Sequence, residues 1–218
     1  LAFTHESNGN TRGAFGAYEQ LELYFNKSRR REDNLYNLVR TASVISEVQI
    51  IEHYGQIFLK SFSQSKHGES VRNMMLTSLF ATGEYEMCEL VAEKMIAELP
   101  KPSLQHDICL HVLGGSKFYL GKFAEAHPHL EEHLKMYEES KSRLAASYFE
   151  ASNLSQLQMW EQAGAKLDAF LKTYPDPVVN MFFPFALYDR ANVHFSLNEY
   201  EPALVSLERI ESEFGGSN

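Results

Sequence analysis

The feature that most constrains this chain is internal self-similarity. Thr11, Val48, Tyr85, Phe123, Trp160 and Tyr200 fall on one repeat position, with spacings of 37, 37, 38, 37 and 40 residues. A period of that size describes a stack of small supersecondary units, not a chain folded round one centre. Three residues after each anchor stand Ala14, Ile51, Cys88, Ala126, Ala163 and Ala203, a mostly small position. Seven after come Tyr18, Gly55, Ala92, Leu130, Leu167 and Leu207, and ten after come Leu21, Phe58, Met95, His133, Phe170 and Ile210. Offsets of 3, 7 and 10 trace one face of an α-helix. Fourteen after each anchor the series is Phe25, Phe62, Leu99, Tyr137, Tyr174 and Phe214. Seventeen after, Ser28, Ser65, Pro102, Ser140, Pro177 and Ser217 are all turn formers.

A second helix is written upstream. Nine residues before the anchors stand Ala2, Val39, Leu76, Gly114, Ala151 and Ala191, and ten before stand Leu1, Leu38, Met75, Leu113, Glu150 and Arg190. Two before lie Gly9, Ser46, Gly83, Gly121, Gln158 and Asn198, most of them residues suited to a helix C-terminus and a tight reversal. Each unit is therefore predicted to be helix A, a short turn, helix B and a turn into the next. An unrelated helical bundle has no reason to repeat small, aromatic and turn positions in register.

These residues resemble the tetratricopeptide repeat, a helical hairpin unit of about 34 residues. The clearest copies run from Leu113-Gly114 through Gly121-Lys122-Phe123 to Ala126, and from Ala191 through Asn198-Glu199-Tyr200 to Ala203. The resemblance covers nearly the whole chain and is weakest in the units anchored at Thr11 and Val48. It implies an all-α, right-handed α-solenoid: a single repeat domain over 1–218 of about five and a half hairpins. A longer second helix ending in Phe25-Asn26-Lys27-Ser28, Phe62-Ser63-Gln64-Ser65 or Tyr174-Pro175-Asp176-Pro177 is similar to the repeats of bacterial cell-envelope proteins, such as the outer-membrane assembly lipoprotein and the Tol-Pal coordinator. That likeness places the expected setting in the periplasm or envelope. Leu1-Ala2 fall mid-way along a helix A and the last helix B keeps a full apolar set, so the expectation is a piece of a longer protein, with open ends able to self-associate.

In the resembling family helix A builds the inner wall. Twelve residues before the anchors stand Tyr36, Asn73, His111, Tyr148 and Tyr188; eight before stand Arg40, Thr77, Gly115, Ser152 and Asn192. Aromatic and amide side chains suit recognition of a protein or peptide segment, so Tyr36, Arg40, Asn73, Thr77, His111, Tyr148, Tyr188 and Asn192 are the candidate groove residues. The family's carboxylate clamp uses Lys and Asn where Tyr36, His111 and Tyr148 stand here, which argues against a clamp-type co-chaperone.

With 20 basic against 29 acidic residues the net charge is -9, a field that repels polyanions and argues against nucleic acid as a partner. The one basic run, Lys27-Ser28-Arg29-Arg30-Arg31, reads as a solvated turn. No apolar run approaches the roughly 20 residues of a membrane span. Cys88 and Cys109 are too few for a disulfide framework or a four-cysteine zinc site and read as core thiols. No phosphate loop, nucleophile elbow or dinucleotide fingerprint is present, so neither an enzyme nor a cofactor is expected. The alternatives kept open are a structural spacer or oligomerisation module, and a metal-dependent enzyme or sensor on His127, His129 and His133, the last two being i, i+4 on one helix. Pro128 is expected to kink its helix or delay its start, and Pro184 to open one.

Overall fold

The computed structural model describes residues 1–215. It contains α-helices and turns: α1 (Ala2–Ser7), α2 (Thr11–Phe25), α3 (Arg31–Val44), α4 (Val48–Ser61), α5 (Gly68–Ala81), α6 (Tyr85–Ile96), α7 (Leu104–Tyr119), α8 (Phe123–Met136), α9 (Arg143–Gln156), α10 (Trp160–Thr173), α11 (Phe183–Ser196) and α12 (Tyr200–Phe214). Every anchor residue is the first residue of a helix B. The chain divides into two compact units, Leu1–Val91 and Ala92–Asn218.

The turn before each anchor is the same object six times. Gly9, Ser46, Gly83, Gly121, Gln158 and Asn198 all have φ between 58° and 81°. The residue after each donates its N–H to the carbonyl five residues back: Asn10 to His5, Glu47 to Ala42, Glu84 to Leu79, Lys122 to Lys117, Met159 to Leu154 and Glu199 to His194, at 2.8–3.0 Å. This is the Schellman termination, which satisfies carbonyls that helix A would otherwise leave unpaired and turns the chain straight into helix B. Glycine adopts the left-handed conformation freely; Ser46, Gln158 and Asn198 adopt it against a Cβ clash.

In unit 1 each helix from α1 to α5 packs on the next, and α3 also meets α5; in unit 2 each helix from α7 to α12 packs on the next, and α7 meets α9 and α9 meets α11. Helix A against the following helix A is the contact that stacks hairpins instead of merely pairing helices. The core of unit 1 centres on Leu35, Leu38, Val39, Ile51, Phe58 and Val71, and one core of unit 2 on Ala151, Leu154, Ala163, Leu167, Phe170 and Ala186. The small position of helix B is buried in all six copies, Ala14, Cys88, Ala126 and Ala163 completely. Gly114 shows what small residues allow: a Cβ there would lie 2.8 Å from Cγ and Cδ2 of the buried Leu130.

Exceptions to the pattern lie in α2 and α12. Leu21 and Phe25 are exposed: the second half of α2 packs through Tyr18 and Glu22 on α3, and α1, with six residues, leaves its other side open. Leu207 is 43% exposed, on α12, the last of the described helices. Pro128 does not delay its helix: α8 is helical from Phe123 through Pro128 to Met136. Proline at the sixth position leaves only the Ala124 carbonyl without its usual donor, a loss the flanking turns tolerate. Pro184 is the second residue of α11, one later than expected. The extra residues before α11 put Phe183 in the core and leave Val178, Val179 and Met181 exposed. Cys88 and Cys109 are free and buried, and burial pushes the Cys109 thiol up to about 11.

Candidate partner-binding surfaces

The helix A positions do two different jobs. In unit 1, α3 carries Tyr36 and Arg40 and α5 carries Asn73 and Thr77. The Tyr36 ring stacks on His67 with centroids 4.1 Å apart. The Arg40 guanidinium is held by Asn37 Oδ1 and pairs with Glu6. Asn73 is 8% exposed, and its Oδ1 has no hydrogen-bond partner among the described residues. Thr77 is exposed, its hydroxyl donating to the Asn73 carbonyl at 2.9 Å.

In unit 2, His111 of α7 lies parallel to Phe149 at 5.9 Å and beside His133. Burial, with the His133 ring close by, pushes its pKa down to about 4. Tyr148 of α9 stacks on Phe182 at 4.8 Å and its hydroxyl donates to Asp189 Oδ2 at 3.2 Å. Burial raises both the Tyr148 phenol and the Asp189 carboxyl. Gly115 and Ser152, the small residues of the second row, are buried. By contrast Tyr188 and Asn192 of α11 stand on the surface, with Phe185 and Phe195 of the same helix beside them in sequence at 58% and 64% exposure. Of the candidates, then, Tyr36, Asn73, His111 and Tyr148 are engaged in packing, Arg40 is half-buried in an ion pair, and Thr77, Tyr188 and Asn192 face solvent. Phe185 and Phe195 escaped the sequence reading; they lie fifteen and five residues before Tyr200, continuing the Tyr188–Asn192 stripe at helical spacing.

The histidines of α8 are not brought together. His127 Nδ1 is 2.9 Å from Glu150 Oε1, whose carboxyl is 1% exposed and raised by burial. His133 Nε2 is 2.7 Å from Asp107 Oδ1, which also accepts a hydrogen bond from the Ser140 hydroxyl. His129 is lowered by burial and by the nearby Lys117. His127 and His133 thus turn to carboxylates on different helices, and no group of three or more His, Cys, Asp or Glu among the described residues could hold a metal. Instead α7 is set in a polar lattice: buried His106 shares a 2.7 Å hydrogen bond with the Tyr137 hydroxyl, and buried Lys117 reaches Glu93 of α6 at 2.9 Å and Glu125 of α8 at 2.8 Å. Charged and polar groups so far inside are tolerated because they are paired. Among the described residues no helix is long and apolar enough to cross a membrane.

No protein-family model and no curated protein matches this sequence. The fold does match solved structures. A tetratricopeptide repeat protein from Parabacteroides merdae superposes with a TM-score of 0.69 at 13% identity, over 97% of this chain and 77% of that one. The type IV pilus biogenesis factor PilW gives 0.70 at 12% identity, over 100% and 92%. A Rap protein complexed with competence and sporulation factor gives 0.58 at 12% identity, over 97% and 72%. The class is therefore settled by architecture: an all-α solenoid fold of consecutive antiparallel hairpins. More narrowly, the hairpins are of the tetratricopeptide-repeat type.

Proposed function

We propose that this protein is a non-catalytic scaffold that binds a segment of another protein on its helix A residues, with Tyr188 and Asn192 of α11 as the principal contacts. The observation that carries the reading is the stripe on α11: Phe185, Tyr188 and Phe195 are each more than half exposed on a helix whose opposite face, Ala186, Leu187, Ala191 and Val193, is buried in the core. Aromatic rings with few rotatable bonds offer large contact area at small entropic cost, and a polar residue among them supplies direction. Tetratricopeptide-type folds serve protein interaction, and the Rap structure is a complex with a factor.

The test is co-purification with the chain as bait, beside a Tyr188→Ala/Asn192→Ala variant. Both side chains are exposed, so the variant keeps its fold. Loss of a partner captured by the wild type supports the reading; equal capture by both refutes it. Tyr148 is unsuitable for that experiment, since its removal would also undo the Phe182 stack and the Asp189 hydrogen bond.

A second reading, self-association, draws on α12, where Tyr200 and Leu204 are each 55% exposed beside Leu207. Light scattering across a concentration series decides it. An envelope setting is proposed with the scaffold role, supported by the long second helix and the likeness to PilW; fractionation of the native cells that leaves the protein wholly in the cytosol would refute it.

A further inference from the structure

Two helices A of this chain open on arginine at the same repeat position. Arg31 begins α3 and Arg143 begins α9, seventeen residues before Val48 and Trp160 respectively. In unit 1 the guanidinium is neutralised within the chain: Nη2 and Nε of Arg31 donate to Oε1 of the buried Glu22 at 2.7 and 3.0 Å. Glu22 lies eleven residues after its anchor, and the matching residue of α8 is Leu134. Arg143 consequently meets no carboxylate there, and donates instead through Nη1 to the carbonyls of Leu134 at 2.8 Å and Tyr137 at 3.3 Å.

Arg143 stands in an open cleft of about 480 Å³ shared by α8, α9 and α10, whose walls also carry Lys135, Lys166, Glu131 and Tyr174. Lys135 and Lys166 are exposed. Three cations and one carboxylate thus line the cleft, in a chain whose overall charge is -9. A cleft lined by one sign of charge concentrates ligands of the other, and the guanidinium fork matches a carboxylate's two oxygens.

We propose that this cleft is a second partner-binding site, taking an acidic segment of a protein: one carboxylate side chain held by Arg143, Lys135 and Lys166, with an apolar neighbour laid against Tyr174 and Leu134. The chain supplies its own precedent in Glu22, which gives Arg31 the group that Arg143 lacks. The cleft holds far more than a lone anion, since a water's share of liquid is only about 30 Å³, and its apolar wall would stay bare over a small ion. The site uses none of the α11 residues and does not rest on the reading above.

The probe is a fluorescein-labelled hexapeptide, Gly-Phe-Glu-Glu-Phe-Gly, titrated by fluorescence anisotropy against the whole chain. Its Gln-for-Glu counterpart and inorganic phosphate as competitor serve as the other arms. Lys135→Glu/Lys166→Glu changes two exposed side chains, and circular dichroism confirms the fold. The expected result is saturable binding of the acidic peptide that weakens by about tenfold or more in the charge-reversed variant, falls with added salt, and is unchanged in Tyr188→Ala. The proposal is overturned by equal binding of the Gln peptide, by unchanged binding in Lys135→Glu/Lys166→Glu, or by no binding at about 1 mM peptide, the millimolar limit of weak recognition. Displacement by phosphate at the peptide's own affinity also overturns it, making the site one for small anions. Loss of binding in Tyr188→Ala alone would overturn this site while supporting α11.

Discussion

Replacing Gln158 by glycine should stabilise unit 2. Gln158 occupies the left-handed position of a Schellman turn at φ 58°, where Gly83 and Gly121 sit in two other copies at 81° and 72°. Its side chain is exposed and makes no hydrogen bond among the described residues, so the substitution removes a backbone clash and nothing else. An L-residue in that conformation costs about 1–2 kcal/mol. Glycine enlarges the unfolded ensemble and returns about 0.4–1 kcal/mol of the gain. The net expectation is a stabilisation of about 0.5–1 kcal/mol, or about 1–4 °C in a chain of this length. The single tryptophan, Trp160, lies two residues on, so its fluorescence during thermal and urea unfolding reports the unit that carries the change. The mirror experiment is Gly121→Ala, which adds the clash at the same turn of the preceding hairpin and should destabilise by a similar amount. A lower midpoint in Gln158→Gly, or no change in Gly121→Ala, would refute the claim that these turns are equivalent and that backbone strain governs them.

Gly114→Ala should destabilise although alanine is the better helix former: the new methyl would stand 2.8 Å from buried Leu130 atoms, and overpacking of that kind costs about 1–3 kcal/mol, read as a lower urea midpoint. Ala163→Leu, at a fully buried small position, should cost a similar amount. Glu22→Ala strips the buried carboxylate from Arg31 and should lower unit 1 stability by about 3 kcal/mol, whereas the exposed Lys135→Ala should not change stability measurably. Acid should weaken unit 2 through its histidines. His106, His111 and His133 are all lowered chiefly by burial, His111 to about 4. The unfolded chain therefore binds protons first, and stability that is complete above about pH 6.5 is lost as pH falls towards 4. Glu150 and Asp189, raised by burial, act in the opposite sense. His111→Phe, which keeps a ring against Phe149, should flatten the pH dependence of the urea midpoint; an unchanged slope would refute the assignment to His111.

What was legible in the sequence follows from what repeats. The Schellman turns, the first residue of every helix B and the small position after it could be read because six copies solve one packing problem under the same sterics. Even Gln158, a poor residue for a left-handed turn, was placed correctly by register where composition would have missed it. The ends were less legible: Leu21, Phe25 and Leu207 carry the pattern of buried residues and are exposed, since the pattern records what a position can pack against and not whether a neighbour is there.

The functional surface was harder to read for the converse reason, because a site is where copies differ. Tyr36, Tyr148 and Tyr188 share a repeat position and look alike in sequence. Tyr36 covers His67, Tyr148 is sandwiched into a seam by Phe182, and only Tyr188 is left more than half exposed. The difference comes from the neighbour. The loop before α11 is longer than the others and lays Phe182 over Tyr148, whereas no described helix A packs beyond α11. Arginine at the head of helix A makes the same point: Glu22 completes Arg31, and Leu134 in the matching place leaves Arg143 on the wall of an open cleft. Departures from the repeat at equivalent positions, not the repeat itself, are therefore where binding in this chain should be sought. The Lys135→Glu/Lys166→Glu and Tyr188→Ala/Asn192→Ala variants test two such departures separately.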